Sequence, residues 1–293
     1  MIPPPLAPPP ESAYCPPAEP SFIEGISQLL PLPVFGLGTV CQDVVLPRVG
    51  CRQFEVTARL WQPRLNSNTL LWGTQPGGIP GTEIDIQRDL NLGKKLLVAE
   101  YEGRCQIRSN WGIRYAFMPI KTDEVTNVAL PTGFWFGYAP YFFAENIYTK
   151  WERNVHKWDI EYDWFQAKHA VASLHGGYSL YDDRISIQSR SAPKWRTRSR
   201  TLGLAHAGVG VQRVIRQVGG GTASINCKWS MQFLDGYVGW DGSALGRVAV
   251  NMGSGRWGFM EAGWRWVVLE RERPSDKDKI SMDGVIGSLG FIF

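Results

Sequence analysis

The chain has 293 residues, 44% of them hydrophobic and 20% charged, with 32 Gly, 20 Pro, 13 Trp, 10 Tyr and 13 Phe. That length holds one large domain or two small ones with a real core, and the composition excludes wholesale disorder and collagen-like repetition. Lys plus Arg (31) against Asp plus Glu (27) gives +4, too mild a surplus to point to nucleic acid, so no nucleic-acid partner is expected.

Residues 1–20 contain nine prolines, including the runs Pro3-Pro4-Pro5 and Pro8-Pro9-Pro10, a composition that favours extended polyproline II and forbids helix or central strand. Residues 21–50 are mixed, with Pro31, Pro33 and Pro47 interrupting an apolar stretch. The division is therefore a proline-rich extended arm or plug over 1–50 and a second unit over 51–293. The first basic residue is Arg48, so no positively charged n-region of a signal peptide is visible, and the export route is left open. Five cysteines show neither CxxC pairs nor zinc spacing, so no metal or cofactor is expected. Cys41 and Cys51 are close enough to close a small disulfide loop in an oxidising compartment, and separate thiols fit equally well.

From 51 onward short alternating segments are separated by Gly, Asn, Asp and Pro. At 157–164, Trp158, Ile160, Tyr162 and Trp164 interleave with Lys157, Asp159, Glu161 and Asp163, a period of two that makes one sheet face aromatic and the other charged. The same partition recurs at 225–233, with Trp229 and Phe233 opposing Lys228, and at 260–268, with Trp264 and Trp266 opposing Glu261 and Arg265. Weaker copies at 54–60, 82–90, 97–106, 109–117, 170–187, 202–214, 245–252 and 283–293 bring the count to eleven strands, or twelve with the aromatic segment 133–143.

A soluble β-barrel binding protein would alternate too, with its aromatic face inward. Against it, charges of both signs lie within strands, and Trp61, Trp72, Trp111, Trp151, Trp158, Trp164, Trp240 and Trp257 sit near strand ends, as rings at membrane–water boundaries do. The stretches 25–42 and 125–144 are too broken by Pro and Gly to be membrane helices, and the second reads as an aromatic hairpin or loop at the interface, in contact with lipid rather than serving as a partner-binding patch. A bilayer admits β-structure only as a closed barrel. The fold expected is thus all-β: a closed antiparallel up-and-down transmembrane β-barrel of about 12 strands, with 10 the other admissible even number. Its lipid-facing aromatics would be Trp158, Tyr162, Trp164, Trp229, Phe233, Trp264 and Trp266. Its lumen would collect Arg59, Glu83, Asp85, Glu100, Glu102, Arg104, Arg114, Lys157, Asp159, Glu161, Asp163, Lys228, Glu261 and Arg265. The basic runs 190–200 and 271–279 read as polar loops, and Gly219-Gly220-Gly221 as a hairpin turn.

The closing segment 284–293, with Val285, Leu289, Phe291 and Phe293 at alternate positions and a terminal Phe, resembles the last strand of bacterial outer-membrane β-barrel proteins. That resemblance implies an outer-membrane location in a Gram-negative-type bacterium, contact with lipopolysaccharide, and recognition of Leu289, Phe291 and Phe293 by the barrel-assembly machinery. Residues 81–92, with Thr82, Ile84, Asp85, Asp89, Leu90 and Leu92, resemble an early-strand pattern of a poorly characterised group of such proteins.

For function, the residues leave three expectations. The barrel is a scaffold or anchor of an envelope assembly, with 1–50 reaching a protein partner, or a narrow solute pore lined by the charged rows. A barrel-embedded lipid or lipopolysaccharide hydrolase would need a nucleophile and base; Ser173 and His175 share a strand face, but no GxSxG elbow accompanies them or the other histidines, His156, His169 and His206, so no enzyme is expected.

Overall fold

A computed structural model describes residues 53–71, 84–85, 87, 89–92, 96–108, 110–127, 134–136, 139–142, 145–167, 169–189, 193–234, 236–273 and 276–293. The arm 1–50, Cys41, Cys51 and Glu83 lie outside them. Ten antiparallel strands follow one another around a ring: β1 (Phe54–Leu71), β3 (Val98–Arg108), β4 (Trp111–Asn127), β7 (Asn146–Ala167), β8 (Ala170–Ser189), β9 (Arg196–Val218), β10 (Gly221–Leu234), β11 (Tyr237–Gly253), β12 (Arg256–Arg273) and β13 (Asp276–Ile292). The last strand pairs with the first, from Glu55 opposite Ile292 to Leu71 opposite Lys277, so no edge of the wall is left open where the ring closes. The remaining strands are short: β2 (Ile84–Asp85) leans on β1, and β5 (Phe134–Phe136) pairs with β6 (Ala139–Tyr141).

Ten wall strands rather than twelve follow from these short pieces. The alternating segments at 82–90 and 133–143 contribute only β2, a two-residue strand paired with the end of β1 in the same sheet, and the separate β5–β6 hairpin. The basic runs, in turn, are only partly loops, because 196–200 belongs to β9 while 271–273 and 276–279 belong to β12 and β13.

The wall inverts its polarity along its length. On β7 the inward row runs Ile147, Thr149, Trp151, Arg153, Val155, then Lys157, Asp159, Glu161 and Asp163, while the outward row runs Tyr148, Lys150, Glu152, Asn154, His156, then Trp158, Ile160, Tyr162 and Trp164. Parity never changes, so one unbroken strand carries two opposite patterns. Toward the rim that bears both ends of the barrel, here the terminal rim, the outside is apolar and the inside charged. Toward the opposite, loop rim, the outside is polar and the inside apolar. A bilayer needs only about 9–11 residues per strand, and β7 has 22, so the polar-walled part stands clear of the hydrocarbon. Closed ring, even strand number and apolar outer belt are the architecture of bacterial outer-membrane barrels.

The interior of the loop-rim half is a dry core built from Leu65, Ile120, Ile147, Trp151, Ile187, Leu204, Leu269 and Ile280. Leu90, Leu92 and Leu96 from the β1–β3 connection, with Phe136 and Tyr141 from the β5–β6 hairpin, pack into it. The aromatic segment around 134–141 therefore places these two rings inside the barrel mouth instead of against lipid, because burial there removes them from water without a bilayer. Trp61 and Trp151 likewise face inward and are buried, not interfacial.

At the terminal rim the strands are joined by tight turns. Gly219 and Gly220 make one of them, with φ of 48° and 88°, a left-handed pair that only glycine adopts without cost. Aromatic side chains cover the backbone at Gly203 (Tyr178), Gly242 (Trp266) and Gly290 (Phe259), where an added Cβ would meet the Tyr178 hydroxyl at 1.5 Å, the Trp266 ring at 2.3 Å and the Phe259 ring at 2.2 Å.

Candidate functional site

The charged rows converge inside the terminal-rim half around a cavity of about 160 Å3. Its lining holds the carboxylates Glu55, Glu100, Glu102, Asp159, Glu161, Asp241 and Glu261 and the cations Arg59, Arg104, Arg114, Lys157, Lys228, Arg247 and Arg265, seven of each. With the signs balanced, the charges satisfy one another. Arg59 Nη1 donates to Glu100 Oε1 and Glu102 Oε2, both at 2.7 Å. Arg265 Nη1 reaches the other oxygen of Glu100 at 2.5 Å, while its Nε and Nη2 grip Asp241 at 3.1 and 2.9 Å. Lys157 pairs with Asp241 as well. Arg114 holds Asp159 through Nε at 2.7 Å, Arg104 Nε holds Glu161 at 2.5 Å, and Lys228 joins Glu161 at 3.3 Å. Arg247 bridges Glu261 at 2.7 Å and Glu55 at 2.9 Å, and Ser288 Oγ donates to Glu261 at 2.8 Å.

Several of these contacts join strands that are not neighbours: Lys157 on β7 to Asp241 on β11, Arg265 on β12 to Glu100 on β3, and Lys228 on β10 to Glu161 on β7. They are struts across the lumen. Arg265 joins such a strut to a bidentate grip on Asp241 of the neighbouring strand, which fixes direction as well as distance, so the network resists ovalisation of the ring.

A second, smaller tier sits among the apolar side chains of the loop-rim half. Arg153 Nη2 donates to Asp183 at 2.6 Å, Arg200 pairs with Asp278 and lies 3.7 Å from Asp183, and Tyr237 Oη donates to Asp278 at 3.2 Å. Burial works against the Arg153 cation, but the charge and hydrogen bonds of Asp183, with Asp278 and Tyr181 adding to them, hold the guanidinium above its ordinary range. Arg153 also lies over the Trp151 and Tyr181 rings. The Tyr141 phenol, in the mouth above, is pushed up to about 12 by burial, with Glu145 adding to the shift and Arg196 opposing it.

Most residues that the alternation assigns to the lumen lie in the larger tier: Arg59, Glu100, Glu102, Arg104, Arg114, Lys157, Asp159, Glu161, Lys228, Glu261 and Arg265. Asp163 is buried nearer the terminal rim, with Gln166 Nε2 at 3.4 Å. Asp85 stands apart. It lies in the β1–β3 connection, where its Oδ1 accepts from Gln87 N at 2.9 Å and its own N–H donates to Asp89 Oδ2 at 2.8 Å. This reciprocal aspartate turn directs Leu90 and Leu92 into the core, which gives the Ile84–Leu92 pattern a packing role rather than a lumenal one. On the outside, Trp158, Trp164, Trp229, Phe233 and Trp264 are exposed, whereas Tyr162 and Trp266 are half-buried against Trp111 and Gly242. Leu289, Phe291 and Phe293 face out at the terminal rim.

Asp241, Arg247, Glu55 and the whole second tier escape the alternation. Asp241 is hidden between Trp240 and Gly242, where no charged row announces it. Arg153 and Asp183 are in phase with Asp159 and His175 on their strands, and that shared parity is the signal that would have found them.

Ser173 and His175 both line the cavity, but the histidine with an acid partner is a different one. His206 Nδ1 is 3.0 Å from Ser179 Oγ, and its Nε2 meets Asp159, so a serine, a histidine and an aspartate stand in line. Ser179 is fully buried and does not border the cavity. Among the described residues no group of His, Cys, Asp and Glu has the arrangement of a metal site.

No protein-family model and no curated protein matches the sequence. Among solved structures, the chain is similar to the outer membrane protease OmpT of Escherichia coli, at 10% identity and a TM-score of 0.41 over 82% of this chain and 96% of that one. It is similar to the attachment invasion locus protein Ail of Yersinia pestis, at 10% identity and 0.38 over 83% and 100%, and to the transport unit of the autotransporter AIDA-I of Escherichia coli, at 9% and 0.37 over 82% and 89%. Values this low carry over nothing of what those proteins do.

Proposed function

We propose that the chain is a non-conducting outer-membrane anchor: a barrel with a packed mouth that holds a rigid wall above the bilayer for other envelope components. The observation that carries this reading is the filling of the loop-rim half. Leu90, Leu92, Leu96 and Tyr141 from the connections pack with the inward rows, and the polar groups among them are tied into the Arg153–Asp183 and Arg200–Asp278 pairs, so the described residues of the mouth offer a hydrated ion packed apolar side chains and paired charges. Below that core, each charge of the lumenal tier already has a partner of opposite sign, an arrangement that supports a strut more than a selectivity lining. The Ser179–His206–Asp159 array belongs to the same strut, since a lipid ester cannot approach a hydroxyl with no exposed surface. Refolded full-length chain in planar bilayers should give no steady conductance at low voltage. Reproducible open channels in the unmodified chain would sink the anchor reading and favour the pore.

A further inference from the structure

Outside the lumen, the two halves of the wall carry charge differently. The loop-rim half mixes signs on its outer face: Lys121 lies 3.8 Å from Glu152, and Asp182 and Arg184 follow one another along the outward row of β8. The terminal rim carries one sign. Arg108 closes β3, Arg213 and Arg216 lie near the end of β9, and Arg256 opens β12. All four are exposed, and among the described residues no exposed Asp or Glu accompanies them on this rim. The exposed carboxylates of the described residues, Asp123 and Asp182, both belong to the other half.

These arginines border the apolar belt directly. On β9 the outward row passes from Val209 and Val211 to Arg213, Ile215 precedes Arg216, and Ile107 precedes Arg108. On β12 the row from Arg256 reaches Met260 two positions on, and all these apolar neighbours are exposed. Trp111, which stands opposite Arg108 where β3 pairs with β4, is exposed as well. The guanidinium groups therefore sit where the hydrocarbon ends on the terminal side, level with the headgroups of that leaflet. Among the described residues none of the four meets a carboxylate, whereas the seven acids and seven cations of the lumen pair with one another. Like charges gathered without counter-charges repel, and what relieves them is an anion supplied from outside the chain.

We infer that the terminal rim is a docking surface for anionic phospholipid headgroups of the adjoining leaflet, held by Arg108, Arg213, Arg216 and Arg256. Charge selects an anion, and position selects the lipid. Phosphodiesters lie at the belt edge, within reach of side chains that start there, while a soluble acidic partner would have to displace them. The residue type agrees, because the planar guanidinium fork matches two phosphate oxygens at once, which the point charge of lysine does not. A zwitterionic headgroup brings its own ammonium and offers less to such a rim than a headgroup with net negative charge. The inference holds whether or not the lumen conducts, so it stands apart from the anchor reading.

The test uses refolded full-length chain in mixed micelles of detergent, phosphatidylcholine and phosphatidylglycerol, with the lipids that stay bound after purification identified by mass spectrometry. The bound ratio of phosphatidylglycerol to phosphatidylcholine should exceed that of the micelles about threefold or more. It should return to the micelle ratio when Arg108, Arg213, Arg216 and Arg256 are all replaced by Gln, and heat-modifiable gel migration reports whether that variant folds. A control with Arg64, Lys121, Lys150 and Arg184 replaced by Gln removes as many charges from the other half and should keep the enrichment. Salt at about 1 M, where the Debye length is roughly 3 Å, should abolish most of it without altering the protein. The micelle ratio in the unmodified chain, enrichment that survives in the terminal-rim variant or at high salt, or equal loss in the control overturns the inference. So does sedimentation with peptidoglycan sacculi that the terminal-rim variant loses while the bound lipid ratio stays at that of the micelles, which would assign the rim to the cell wall.

Discussion

Arg265 shows how single side chains hold this barrel. It spends all three guanidinium nitrogens on Glu100 and Asp241, which lie on different strands, and stacks over Trp61 at 5.1 Å, so it ties the charged tier to the apolar core above it. Truncating one member of a buried ion network leaves its partners charged and unpaired, at a cost of about 3–5 kcal/mol. Arg265→Met should lower the unfolding free energy from urea titration, followed by Trp fluorescence, by that amount. Adding Asp241→Leu should deepen the loss, because Asp241 is also the partner of Lys157, which then stands unpaired in the lumen. A variant as stable as the parent would mean that the network is ornamental.

The β1–β3 connection is the element on which closure of the mouth depends. The aspartate turn at Asp85 and Asp89 and the left-handed Asn91, at φ 56°, give Leu90 and Leu92 their inward direction, and both leucines are buried. Leu90→Asp with Leu92→Asp places two carboxylates in a dry core, which costs more than the connection gains by packing. The expected result is release of this segment alone: trypsin cleavage at Lys94 or Lys95 on the order of tenfold faster or more, with the barrel still heat-modifiable. Unchanged cleavage would show that the segment is held by something other than its leucines. The ten strand segments were legible as period-two alternation, but so were 82–90 and 133–143, because a connection that buries every second residue against a core has the same pattern as a wall strand.

At the scale of the whole molecule, the inversion of polarity sets the membrane position. Only the terminal-rim half presents an apolar exterior, with Trp229 well inside the belt on β10. Trp229→Arg should destabilise the folded barrel in phospholipid by about 2–4 kcal/mol, whereas the same change at Tyr148, on the polar half of the wall, should cost little. Equal penalties at the two positions would mean that the belt is misplaced. The loop-rim half behaves in the opposite sense, as a water-exposed barrel around an apolar interior, and this is why its aromatic residues, Trp61 and Trp151 among them, mislead when they are assigned to the interface.

Alternation along the chain by itself determined that this protein is built of strands whose two rows of side chains face opposite sides, since the side-chain period of a strand is a local property of the backbone. It placed Trp158 and Glu161 on opposite faces without knowledge of any neighbour. Which face is inward at a given height, that Lys157 meets Asp241 across the lumen, that Leu90 stops the mouth and that β9 outruns β10 were decided only by the closed ring. Each depends on where distant strands are brought into register, and register is set by the sum of pairings around the barrel rather than by any one segment of it.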